Sequence, residues 1–244
     1  YDQTRRLVTK AIQMTMLISI PAMVGMAVLA KPIMQFIFPQ KDSLDTASGL
    51  LMVLAITIVL YGLSTLTNAV LQGIGKVNTP VIHSVIALVI QIAGLIAMLE
   101  YTQMDLYALV GANILYSLVM CLLNQWSVRK HLSYAMDGMK IFVKPGFAAL
   151  IMGAVAYGVY HGLYLILPVS RIVLLIAMGI GACVYFVVLL LTGGVSEAEL
   201  KAFPKGTMLV SVAKRLHLLR EEKPKKPRKK KRRRKKRKKV KKKR

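Results

Sequence analysis

The sequence predicts an all-α, polytopic membrane bundle of six transmembrane helices, followed by an interfacial segment and a strongly basic tail. Three observations carry this. Hydrophobic residues make up 55% of the 244-residue chain and charged residues only 18%, too apolar for a soluble domain of this length. Six stretches free of Asp, Glu, Lys and Arg run over about 11–30, 49–71, 79–99, 106–128, 145–167 and 172–191. A bilayer core of about 30 Å needs about 20 apolar residues per helix, so each stretch is long enough to cross. Finally, the net charge of +25 belongs to one end: residues 223–244 hold 19 Lys or Arg and no acid, leaving 16 basic and 10 acidic side chains in residues 1–222. The domains expected are therefore a bundle over 1–192, an interfacial segment over 193–222 and a disordered polybasic tail over 223–244.

The first span contains Pro21, which removes one backbone hydrogen bond and crowds the carbonyl of Leu17. This predicts a bend and makes Pro21 a hinge candidate, the alternative being fixed geometry. Between the second and third spans lies LQGIGKVNTP, Leu71 to Pro80. Within it Gln72, Gly73, Gly75, Lys76, Asn78 and Pro80 form a turn motif: the glycines permit a tight reversal, and Asn78, Thr79 and Pro80 can start the next helix. The fifth span opens with Pro145 and then places Ala154, Gly158 and Gly162 at intervals of four. These share one face, where small side chains let another backbone approach; mere tolerance of glycine in a membrane helix is the alternative.

Beyond the sixth span, Gly193 and Gly194 end the helix, and Ser196 with Glu199 has the form of a capping box. Val210, Val212, Leu216 and Leu219, interleaved with Lys214, Arg215 and Arg220, give an amphipathic segment suited to the membrane surface. From Lys225 to Arg244 all residues but Pro227 and Val240 are basic. Such a tail repels itself, and its expected partners are anionic lipid or RNA and the ribosome, unless it is a low-complexity extension without a role.

Lys and Arg in short loops set orientation. Arg5, Arg6, Lys10, Lys76, Arg129, Lys130, Lys140 and Lys144 fall on one side, against Lys31, Lys41 and Arg171 on the other, so both ends are expected in the cytoplasm. The opening YDQTRRLVTK has no Met and no signal-peptide form, which reads as a fragment of a longer protein.

No catalytic constellation, nucleotide loop or metal-spaced cluster is legible, so neither a catalytic residue, nor a metal, nor a cofactor is expected, and the chain reads as a transporter rather than an enzyme. Cys121 and Cys183 fall in predicted spans and read as packing residues. Uncharged polar groups in the spans remain: Asn68, Gln72, His83, Gln91 and Asn113 are the candidate lining of a cavity, with Asn124 and Gln125 beside Asn113 in the fourth span. Hydrogen bonding between helices is the competing role.

The strings SIPAMVGMAVLAKPIMQFIFP, LQGIGKVNTP and FPKGTMLVSVAKRLHLL, in this order, resemble the C-terminal half of the polysaccharide-transporter branch of the MOP exporter superfamily. Within it the stage V sporulation protein B family, which is similar to the MurJ-type lipid II flippases, matches best. The resemblance runs from Tyr1 to about Arg220 and leaves out the tail. It implies the C-terminal lobe of a flippase in the bacterial plasma membrane, working by alternating access with an N-terminal lobe as its partner. The cargo implied is an undecaprenyl-linked precursor of peptidoglycan, as in sporulation, or of another polysaccharide. By the same analogy the last two spans would serve the lipid tail. The alternatives are a multidrug exporter of the related MATE branch and a membrane insertase with a ribosome-binding tail.

Overall fold

The computed structural model describes residues 2–38, 42–101, 105–132, 138–166 and 170–195. The interfacial segment expected beyond residue 195 and the tail Lys225–Arg244 lie outside the described residues. Among those described, all regular structure is helical: α1 (Asp2–Val28), α2 (Ala30–Ile37), α3 (Leu44–Leu54), α4 (Ile56–Gly73), α5 (Asn78–Tyr101), α6 (Asp105–Leu132), a π-helical turn (Met139–Val143), α7 (Lys144–Ile166) and α8 (Ser170–Leu191). Six helical stretches are long and apolar enough to cross a membrane, with α3 and α4 counting as one.

The helices pack as a row in the order α8, α7, α1, α4, α6, α5, with α2 lying against α3 and α8. α1 is central because it repeats a large apolar side chain every turn. Val8, Ile12, Met16, Ile20 and Val24 share one face, and Ile12 and Met16 are fully buried. They meet Leu63 and Leu71 of α4, Val128 and Leu132 of α6, and Ala148, Ala149 and Met152 of α7. The outer faces, such as Val81, Ile82, Val85 and Val89 of α5, are exposed and apolar, as a lipid-facing surface must be.

Two helix ends follow one motif. At the end of α4, Lys76 N–H donates to Leu71 O (2.9 Å) and Gly75 N–H to Gln72 O (3.0 Å), with Gly75 at φ +80. At the end of α8, Gly194 N–H donates to Leu189 O (2.9 Å) and Gly193 N–H to Leu190 O (3.0 Å), with Gly193 at φ +59. Both are Schellman caps, in which glycine takes the left-handed conformation. Side chains complete these ends. Lys144 Nζ donates to Gly193 O (2.8 Å), placing a cation at the negative end of α8, and the Arg5 guanidinium donates to the Leu132 carbonyl at the end of α6.

Three features differ from expectation. The first helix already begins at Asp2 and takes in the polar opening, since Arg5 has a partner on α6. α7 does not start at Pro145 but continues from the π-helical turn. The third is the small-residue face of α7. Ala154, Gly158 and Gly162 are exposed, and a Cβ at Gly158 or Gly162 would meet nothing within 4 Å. The close approach falls one residue earlier: a Cβ at Gly153 would stand 2.8 Å from Val24 Cγ1 and 3.2 Å from Val28 Cγ2, so glycine there lets α1 and α7 touch. Sequence spacing identified a small-residue face but not the face that is used.

Gly153→Leu is therefore expected to overpack the α1–α7 seam and cost about 1–3 kcal/mol, whereas Gly158→Ala costs nothing measurable or stabilises slightly. Thermal unfolding of the two detergent-solubilised variants checks the contrast.

Candidate functional site

Pro21 lies inside α1, which runs on as one helix to Val28. Having no N–H, it leaves the Leu17 carbonyl without its helical donor. The structure supplies another: Tyr185 of α8 donates its hydroxyl to Leu17 O at 2.8 Å, and both residues are buried. The hinge candidate is thus tied to α8, a contact that sequence reasoning missed because the partner is far along the chain.

Leu17, Pro21 and Tyr185 all line one groove, bounded by α1, α7 and α8, with a volume of about 400 Å³. Its other walls are almost wholly apolar: Ala22, Gly25 and Met26 on α1, Met152 and Ala156 on α7, and Met178, Gly181, Ala182, Phe186 and Leu189 on α8. Small residues make the hollow and methionines line it, a combination that admits a flexible hydrocarbon chain.

The polar candidates divide. Asn68 and His83 come together through Asn124, which is fully buried between α4, α5 and α6. Asn124 Nδ2 donates to Asn68 Oδ1 (2.7 Å), so Asn124 Oδ1 is left to accept from His83 Nδ1 (2.8 Å). Ser127 Oγ lies 3.4 Å from His83 Nε2 and completes the cluster. Asn113 Oδ1 instead accepts from Tyr61 Oη (2.9 Å), nearer the other end of α6. Gln72 is exposed in the last turn of α4, and Gln91 is half-buried, about two turns along α5 from His83. The candidates do not converge on one cavity; Asn68 and His83 bind helix to helix. In the turn motif, Gly73, Gly75, Lys76 and Asn78 are exposed, while Pro80 is buried at the start of α5.

A second recess, of about 540 Å³, opens where α1, α2, α3 and α7 meet. It is walled by Ala27, Ala30, Gly49, Gly153 and Ala154, and carries Lys31, Asp45, Ser48 and Tyr157.

Six membrane-length helices with these recesses define a polytopic helical membrane protein. The MatE family model matches residues 1–96, which cover α1 to α4 and most of α5. The lipid II flippase MurJ of Bacillus subtilis (strain 168) is 27% identical over 162 residues, 64% of this chain and 28% of that protein. Together these findings support membership of the MOP exporter superfamily, the superfamily of transporters and flippases. The chain spans little more than a quarter of the relative it matches. No solved structure matches it.

The Asn124 cluster gives a graded expectation. Asn124→Ala removes the fully buried group that joins Asn68 to His83 Nδ1 and costs about 1–2 kcal/mol, while Asn113→Ala, which breaks the bond to the partly exposed Tyr61, costs about 0.5 kcal/mol or less. Denaturation of the solubilised variants, compared on one scale, checks the order.

Proposed function

We propose that this chain is the C-terminal lobe of a flippase that moves an undecaprenyl-linked cell-wall or polysaccharide precursor across the bacterial plasma membrane. The observation that carries this reading is the apolar groove between α1, α7 and α8. It lies on the two helices that the resemblance links to a prenyl tail, in a chain similar to a protein named as a lipid II flippase. The tail of the substrate would travel in this groove while the headgroup crosses on the polar side, and the two lobes would rock to change access. The bias of basic residues supports a cytoplasmic location for both ends of the bundle. Lys225–Arg244 would then meet the anionic inner leaflet, where each cation adds about 1 kcal/mol.

The MatE match fits a multidrug exporter equally well, and the two readings separate on cargo. A flippase needs room for a long hydrocarbon chain; a drug exporter needs to hold an amphipathic cation.

The test uses the full-length protein in proteoliposomes with a fluorescent undecaprenyl-linked precursor. Ala22→Trp and Ala182→Trp, which fill the groove from two exposed wall positions, are expected to slow transfer between leaflets by about tenfold without lowering thermal stability. Transfer that is absent in the parent, or untouched by both variants, contradicts the reading, and efflux of a cationic dye in its place supports the exporter.

A further inference from the structure

We infer that the recess between α1, α2, α3 and α7 is a binding site for a phosphate-bearing headgroup, with Lys31 as the cation that takes the anion. This deepens the flippase reading and rests on it.

Three observations lead there. The first is space beside a charge. Among the described residues Lys31 is the only Lys or Arg lining either recess, and five small residues, Ala27, Ala30, Gly49, Gly153 and Ala154, leave about 540 Å³ open beside it, with Val28, Met52 and Tyr157 completing the walls. Ala154, the exposed first member of the small-residue face of α7, lies in this wall.

The second is the state of the cation. Lys31 Nζ stands 2.7 Å from Asp45 Oδ1, with the two side chains 57% and 85% exposed. An ion pair this open holds its partners weakly, so a doubly charged phosphate can displace the carboxylate. Asp45 does not then lie stranded. It sits in the first turn of α3, a favourable place for a negative charge, and is well solvated.

The third is the relation to the apolar groove. Both recesses use the same pair of helices: Met152 and Ala156 of α7 face the groove, while Gly153, Ala154 and Tyr157 face the charged recess, and α1 contributes to both. An apolar and a charged environment thus flank the same two helices, α1 and α7. Tyr157 adds a half-exposed ring and hydroxyl on the charged side, with the His161 ring against it at 4.1 Å. Such a surface accepts the apolar face and hydroxyls of a sugar.

The experiment measures binding to the full-length protein in detergent with three probes: geranylgeranyl diphosphate, geranylgeraniol, which has the chain without the phosphates, and phosphatidylglycerol. The diphosphate is expected to bind more tightly than the alcohol. Lys31→Gln should reduce that preference by about fivefold, and Asp45→Asn, which removes the competing carboxylate, should raise it by a similar factor. Opposite signs are the signature, because a purely structural ion pair would make the two variants act alike. Equal effects in the same direction, or no change in either, overturn the site. Binding of the alcohol and the diphosphate with equal affinity also overturns it while leaving the groove and the flippase reading intact; failure of both to bind removes the reading itself. A Lys31-dependent preference for the diphosphate over phosphatidylglycerol assigns the site to a prenyl diphosphate, and equal preference assigns it to bilayer phospholipid, each confirming the anion site.

Discussion

A backbone carbonyl without a donor is costly wherever water is absent, and α1 creates one at the centre of this bundle. Pro21 cannot bond to Leu17, and Tyr185 of α8 does so instead. That bond fixes more than one helix. α1 is the middle of the row, so its path sets where α7 and α4 pack, and α7 carries α8 with it. The groove takes its form from the same contact, since Leu17, Pro21 and Tyr185 are among its walls. A chain entering the groove would lie against the residues that hold α1 and α8 together.

The two ends of the bundle are treated differently. At the end bearing Arg5, Lys76 and Lys144, cations bond to helix carbonyls or follow glycine caps, and the Gln13 amide reaches Gly194 O at 3.5 Å. At the other end, polar contacts are open: Lys31 with Asp45, and Arg171 over the Phe36 ring at 5.9 Å. Between them the Asn124 cluster ties α5 to α4 and α6.

Much of the architecture was legible in the sequence, for physical reasons that differ by feature. Six uncharged stretches sufficed for six membrane helices, because a bilayer leaves the backbone little alternative. The glycine caps at Gly75 and Gly193 were legible because left-handed backbone selects glycine. What a helix faces was not. The Ala154–Gly158–Gly162 spacing marked a face correctly as small, yet Gly153 makes the contact, since spacing carries no information on which neighbour arrives. Sequence offers two roles for the polar residues of the spans, cavity lining or bonding between helices, and for Asn68 and His83 the structure shows the second, through Asn124; which residues pair could not be read from spacing. Pro21 flagged the freed carbonyl, but Tyr185, 168 positions from Leu17, could not be paired with it from spacing.

The bond from Tyr185 to the carbonyl that Pro21 frees therefore holds α1 to α8, and a double-mutant cycle measures it directly. Tyr185→Phe should cost about 1–3 kcal/mol in the parent protein, because a buried acceptor loses its donor. In a Pro21→Ala background, where residue 21 regains an N–H for Leu17, the same change should cost close to nothing. An equal cost of Tyr185→Phe in both backgrounds would show that the hydroxyl does not serve the carbonyl left by proline, and would contradict the claim that this contact organises α1 and α8.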